Sequence, residues 1–168
     1  MIPDFEIRPE SPEDQAAIFE VIRLAFAGRP YASGTESEVV DRLRDSDALT
    51  LSLVAVRQRQ VIGQVAFSEA ETGDESEIWH ALGPVAVLPE FQKSGVGSAL
   101  INAGLDWLSD RGSDGCILLG DYNYYKRFGF VLSPENCPEG LPAEHFMIKP
   151  ISGTRPSRKF TFHSAFDD

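Results

Sequence analysis

Gln92-Lys93-Ser94-Gly95-Val96-Gly97-Ser98 lies between an apolar run, Leu82 to Leu88, and an amphipathic stretch that starts at Ala99 and continues to about Arg111. A strand, a glycine-bearing turn and a helix in that order place several backbone N–H groups at a helix N-terminus, where unpaired donors and the positive end of the macrodipole favour a phosphate or pyrophosphate. Gly95-x-Gly97 alone is a weak sign of this, because glycines also serve simply to turn chains. A Walker A loop would need G-x-x-x-x-G-K-[ST], which the chain lacks. A dinucleotide fingerprint would need a third glycine or alanine where Leu100 stands, and should open a Rossmann unit rather than follow an antiparallel meander. The stretch therefore proposes an anionic cofactor of another kind.

Other residues could move protons. Tyr122, Tyr124 and Tyr125 sit with Phe128 and Phe130 in one aromatic cluster, which serves packing as readily as chemistry. Glu36, Glu38, Glu69, His80 and Glu90 are candidate general bases by position, though solvated carboxylates are expected in so acidic a chain. His145 and His163 have no partners at metal-ligand spacing, so no metal is expected. Cys116 and Cys137 lack the C-x-x-C pattern of a zinc or redox site, and Cys116 in an apolar run reads as core.

The elements that must hold these residues are legible in the patterning. Phe5 and Ile7 alternate with polar neighbours as a short first strand does, and Ser11-Pro12-Glu13-Asp14 is a capping-box-like helix start. Ile18, Val21, Ile22, Ala25 and Phe26 recur at spacings of three and four, so a helix runs to near Gly28. Thr35 to Glu38 repeats the capping signal, with Val39, Val40 and Leu43 facing a core until about Arg44. Leu49 to Val56 and Val61 to Phe67 alternate about the turn Arg57 to Gln60, an antiparallel hairpin, and Ile78 to Leu88 completes a meander. After the central loop, Leu100, Ile101, Leu105 and Leu108 give the next helix its buried face. Gly115 to Gly120 is a short apolar strand, parallel to Ile78–Leu88 by β-α-β logic, with an open groove between the two. Tyr122 to Phe130 is a short aromatic helix ending at a glycine, and strand-like segments follow at 146–148 and 159–163.

The chain has 168 residues, enough for one domain over 1–168. With 15 Lys+Arg against 26 Asp+Glu, a net charge of -11 argues against nonspecific binding to nucleic acid or anionic membrane. No apolar stretch approaches the roughly 20 residues of a membrane span, and the N-terminus lacks a signal peptide's pattern. A cytoplasmic protein is expected.

V-x-V-x-P ahead of Q-x-x-G-x-G, followed by a buried strand and Y-x-x-x-G-F at Tyr125 to Phe130, resembles the GCN5-related N-acetyltransferase (GNAT) superfamily. The strings LGPVAVLPEFQ and LGDYNYYKRFGF are similar to a subgroup of predicted acetyltransferases. The resemblance implies an α/β (α+β) fold: a mixed, mostly antiparallel sheet of six to seven strands with about four helices, a splayed parallel pair at 78–88 and 116–119, and a terminal hairpin. It implies acetyl-CoA as co-substrate, with Gln92 and the main chain of Lys93, Ser94, Gly95, Val96, Gly97 and Ser98 on the pyrophosphate. Val85, Ala86 and Val87 would hold the pantetheine arm and polarise the thioester carbonyl through main-chain groups. Tyr125 would protonate the departing thiolate, since a phenol with a pKa of about 10 carries its proton at neutral pH, and Tyr124 is the alternative. The implied reaction is acetyl transfer to a primary amine of a small molecule or peptide by direct attack, with a non-catalytic CoA-binding or regulatory module as the second reading. A homodimer is compatible with either. Arg29–Gly34 and Val131–Pro150 are expected on the acceptor side.

Overall fold

The computed structural model describes residues 4–30, 32–152 and 154–167. Tyr31, inside the loop assigned above to the acceptor side, lies outside them. The chain runs β1 (Glu6–Pro9), α1 (Gln15–Phe26), α2 (Glu36–Asp45), β2 (Leu49–Arg57), β3 (Gln60–Glu71), β4 (Trp79–Val87), α3 (Val96–Asp110), β5 (Gly115–Leu119), α4 (Tyr122–Tyr125), β6 (Val131–Leu132), β7 (Phe146–Pro150) and β8 (Thr161–Phe162). One mixed sheet of eight strands has the order β1-β2-β3-β4-β5-β7-β6, with β8 added on β3. The expectation was six to seven strands. The two-residue β6 makes the difference, being too short to leave a period-2 pattern, while β8 falls inside the strand-like segment at 159–163.

Burial follows the apolar spacing. Ile18, Val21, Ile22 and Ala25 are the buried positions of α1, and Val39, Val40 and Leu43 the buried apolar positions of α2. α3 buries Leu100, Ile101, Leu105 and Leu108 as expected, each worth roughly 1.5–3 kcal/mol against exposure. It begins three residues earlier than its apolar pattern does, at Val96, whose side chain is also in the core. The Phe67 ring of β3 occupies the space beside Gly104 of α3, and Gly63 faces Val96 and Leu100. Alternation then turns Gln64 and Ala66 to the other face, towards α1.

The sheet opens between β4 and β5. β4 pairs β5 in parallel at only three positions, Trp79 with Gly115, His80 with Cys116 and Ala81 with Ile117. On its other edge β4 stays with β3, but Leu82 pairs Phe67 while Val85 pairs Val65, so β4 carries one residue more than its partner across Gly83-Pro84. The strands beyond Ala81 therefore diverge, as the sequence reading expected. The terminal hairpin does not form. β7 lies between β5 and β6, and β8 crosses to β3, because the segment between them is fixed elsewhere: Asn136 Nδ2 donates to the Pro156 and Arg158 carbonyls, and the Phe160 N–H donates to the Asn136 carbonyl.

At the start of α1 the capping signal is realised as a 3-10 turn, Pro12–Asp14, in which the Ser11 N–H donates to Asp14 Oδ2 at 2.7 Å. The Arg8 guanidinium donates to both Asp14 oxygens and holds that carboxyl down at about 2, against the opposing effect of burial. A carboxylate depressed in the fold binds fewer protons there than in the unfolded chain, so its stabilisation is present at neutral pH and is lost as pH falls from about 4 to about 2. Asp14→Asn should lower the unfolding free energy at pH 7 by about 2 kcal/mol, with the gap to wild type closing towards pH 2. Denaturant titrations at the two pH values check this, and a gap independent of pH contradicts it.

Candidate active site

From Leu82 to Val87 the β4 edge that faced β5 has no strand beside it among the described residues. Its main-chain groups border an open cleft of about 850 Å³, with Val85, Ala86 and Val87 on one wall. Ala25, Phe26 and Arg29, from the end of α1 and the residues after it, also line it, as do Phe91, Gln92, Lys93, Gly95, Gly97 and Ser98. Asp121, Tyr124 and Arg127 close it from the turn after β5.

The loop into α3 is shaped by two left-handed residues, Lys93 at φ 62 and Gly95 at φ 93, the second being the N-cap. A side chain tolerates that conformation poorly, hence glycine at the position where the chain must enter the helix. The turn leaves the first N–H groups of α3 without intrahelical partners at the dipole's positive end, a setting suited to an anion. Two of the residues expected here do not line the cleft with their side chains. Ser94 donates its hydroxyl to the Phe91 carbonyl, and Val96 is buried in the core; only their main chain is available to a ligand.

Gln92 fastens this loop to its neighbours. Its Nε2 donates to the Val87 carbonyl at 3.0 Å, and its Oε1 accepts from Arg29 Nη2 at 2.8 Å. Asp121 and Arg127 were not singled out in the sequence, and Arg29 only as the start of the loop expected on the acceptor side, since nothing local relates residues 29 and 127 to a loop at 92–98. Arg29, Lys93 and Arg127 nevertheless bring three cations to one cleft of an acidic chain.

The two candidate tyrosines differ in surroundings. Tyr124 lines the cleft with its hydroxyl 3.5 Å from Ser98 Oγ, at the loop end, and Arg127 stacks 4.4 Å from its ring centroid. Tyr125 does not line that cleft. It is half-buried, packs edge-on against Phe130 at 6.1 Å between centroids, and stands against Gly120 and near Leu118 at the end of β5.

None of the candidate bases lines the cleft. Glu36 accepts from the Ser33 and Gly34 N–H groups and holds the loop before α2. Glu38, Glu69 and Glu90 are exposed. His80 is buried, with Nδ1 2.9 Å from Ser113 Oγ. His145 is exposed, and His163 accepts from the Ala165 N–H in a terminal turn. Among the described residues no cluster of three His, Cys, Asp or Glu side chains could hold a metal ion. Residues 131–150 do not reach the cleft either; they build β6 and β7 at the far edge of the sheet.

Comparison with known proteins bears on this arrangement. The family model described as the acetyltransferase (GNAT) family matches residues 16–130. An Escherichia coli N-acetyltransferase, YhbS, is 38% identical over 128 residues, covering 76% of this chain and 74% of its own. The crystal structure of a GNAT family acetyltransferase from Brucella melitensis in complex with acetyl-CoA superposes with a TM-score of 0.87 at 41% identity, covering 98% of this chain and 99% of that one. YhbS of Escherichia coli in complex with CoA superposes with a TM-score of 0.89 at 30% identity, covering 100% and 94%.

Burial pushes the His80 imidazole below its ordinary pKa. It stays neutral in the fold while the unfolded chain takes up a proton near pH 6.5, so stability falls as pH drops through that value. His80→Gln should flatten the decline of Tm between about pH 7.5 and about pH 5. Parallel pH profiles of the two proteins would contradict the assignment.

Proposed function

The chain belongs to the GNAT family of acetyltransferases, and on that premise we propose that it moves the acetyl group of acetyl-CoA to a primary amine of a small molecule or peptide by direct attack. The observation that carries the proposal is the separation of β4 from β5 beyond Ala81, beside a loop built for an anion. A ligand with a pyrophosphate at one end and a thioester at the other matches that pairing of features, and the structures of similar proteins with acetyl-CoA and CoA support it. Gln92 and the main chain of Lys93 to Ser98 would hold the pyrophosphate, while Arg29, Lys93 and Arg127 add positive charge. Val85, Ala86 and Val87 would bind the pantetheine arm through those backbone groups on the β5 side that no strand occupies, the Val87 carbonyl there being bonded to Gln92.

In the reaction the deprotonated amine attacks the thioester carbon. Main-chain N–H groups of β4 stabilise the charge on the carbonyl oxygen. The C–N bond forms, the C–S bond breaks, the ammonium proton passes to water, the thiolate takes a proton from the Tyr125 phenol, and water returns one to the phenolate. Tyr125 is favoured over Tyr124 because the Tyr124 hydroxyl stands at Ser98, the phosphate end, whereas Tyr125 lies against the end of β5 where the strands part. One acetyltransferase domain spans 1–168 in this reading, since the sheet that begins at β1 takes in the tail through β8. Two free thiols and a co-substrate of the cytoplasm support a cytoplasmic location.

Acetyl-CoA should raise Tm, and a panel of primary amines should contain one that releases free thiol from it; no release with any amine would leave only a binding module. With that amine, Tyr125→Phe should lower kcat by about 10- to 100-fold while CoA affinity by calorimetry changes less than about threefold. Turnover equal to wild type would remove Tyr125 from the mechanism.

A further inference from the structure

The turn that carries Tyr125 is held from both ends. A Cβ on Gly120 would lie 2.6 Å from Tyr125 Cε2 and 3.0 Å from Cδ2, with Leu118 Cδ1 at 3.2 Å. These distances are well inside van der Waals contact. The φ of Gly120 is not in the left-handed region, so the backbone does not demand glycine there; the ring beside it does. Nor can the backbone withdraw freely, because the Gly120 N–H donates to the His145 carbonyl at 3.0 Å. At the other end Lys149 Nζ donates to the Phe128 carbonyl at 2.6 Å, closing the 3-10 turn Lys126–Phe128 that follows α4. The ammonium reaches that carbonyl beside Gly129, where a Cβ would stand 2.5 Å from Nζ. Between the two anchors, Phe128 and Phe130 flank the Tyr125 ring.

We propose that Gly120 and Lys149 are positioning residues that fix the Tyr125 hydroxyl for proton transfer to the thiolate. The proposal rests on the reading of Tyr125 as the proton donor. Gly120 lets the ring lie flush with the end of β5, and Lys149 stops the turn from rotating the ring away. Neither residue touches substrate.

Gly120→Ala and Lys149→Met, each made with Tyr125 and with Tyr125→Phe, test this by thiol release from acetyl-CoA with the best amine of the panel. Lys149→Met keeps the apolar stem and removes only the donor, so it carries the test alone if Gly120→Ala does not fold. With Tyr125 present, each should lower kcat about tenfold and move the KM for acetyl-CoA less than about threefold. With Tyr125→Phe, neither should lower kcat further. Phenylalanine keeps the ring and hence the clash, so Gly120→Ala should lower Tm equally in both backgrounds, and a merely structural role would lower kcat equally too. Equal kcat losses in the two backgrounds, or no loss with Tyr125 present, overturn the proposal while leaving Tyr125 in place. Wild-type turnover of Tyr125→Phe instead overturns the reading on which the proposal stands.

Discussion

Every buried backbone N–H and C=O must find a partner, and β4 meets that requirement along one edge only for part of its length. Up to Ala81 it is paired on both sides, by β3 and by β5. From Leu82 onwards β3 remains and β5 does not. The groups released there would be a defect in a closed sheet. Here they border a cleft, where water or a ligand can satisfy them, and the other elements are arranged about that opening. α1 supplies one wall with Ala25 and Phe26, α3 presents its N-terminus across the cleft, and the turn after β5 closes it with Asp121, Tyr124 and Arg127.

The electrostatics of the site run against those of the chain. A net charge of -11 gives the molecule a field that repels anions, yet the cleft gathers Arg29, Lys93 and Arg127 about the N-terminus of α3. Local donors can outweigh a diffuse opposing field, because charges more than about 10 Å apart are largely screened at ordinary ionic strength. The Arg29–Gln92–Val87 hydrogen-bond chain also ties the end of α1 to the loop before α3 and to β4, so segments far apart in sequence share one geometry.

The framework was readable in the sequence because it is set by local periodicity and turn chemistry. The apolar faces of α1, α2 and α3, the β2–β3 hairpin and the parallel neighbours β4 and β5 all followed from spacing, and Gly95 and Gly97 marked the turn into α3, whose start at Val96 lies ahead of the apolar pattern that begins at Ala99. The resemblance to a family, carried by residues 82–130, supplied what spacing does not: the roles expected of Val85 to Val87 and of Tyr125. What remained illegible is non-local. The two-residue β6 has no period, and the path of the tail to β3 depends on Asn136 bonding to carbonyls 20 and 22 residues away. The place of Arg29 depends on a glutamine 63 residues on. Gly120 follows the end of β5, and only the Tyr125 ring, five residues on and folded back against it, shows why no side chain fits there.

The central claim is that the freed edge of β4 grips and polarises a thioester. Isotope-edited infrared spectroscopy with acetyl-CoA labelled with carbon-13 at the carbonyl measures this at the reacting bond. Polarisation by main-chain N–H groups predicts a carbonyl stretch shifted to lower frequency in the complex than in free acetyl-CoA. A bound ligand whose carbonyl stretch is unshifted would contradict it.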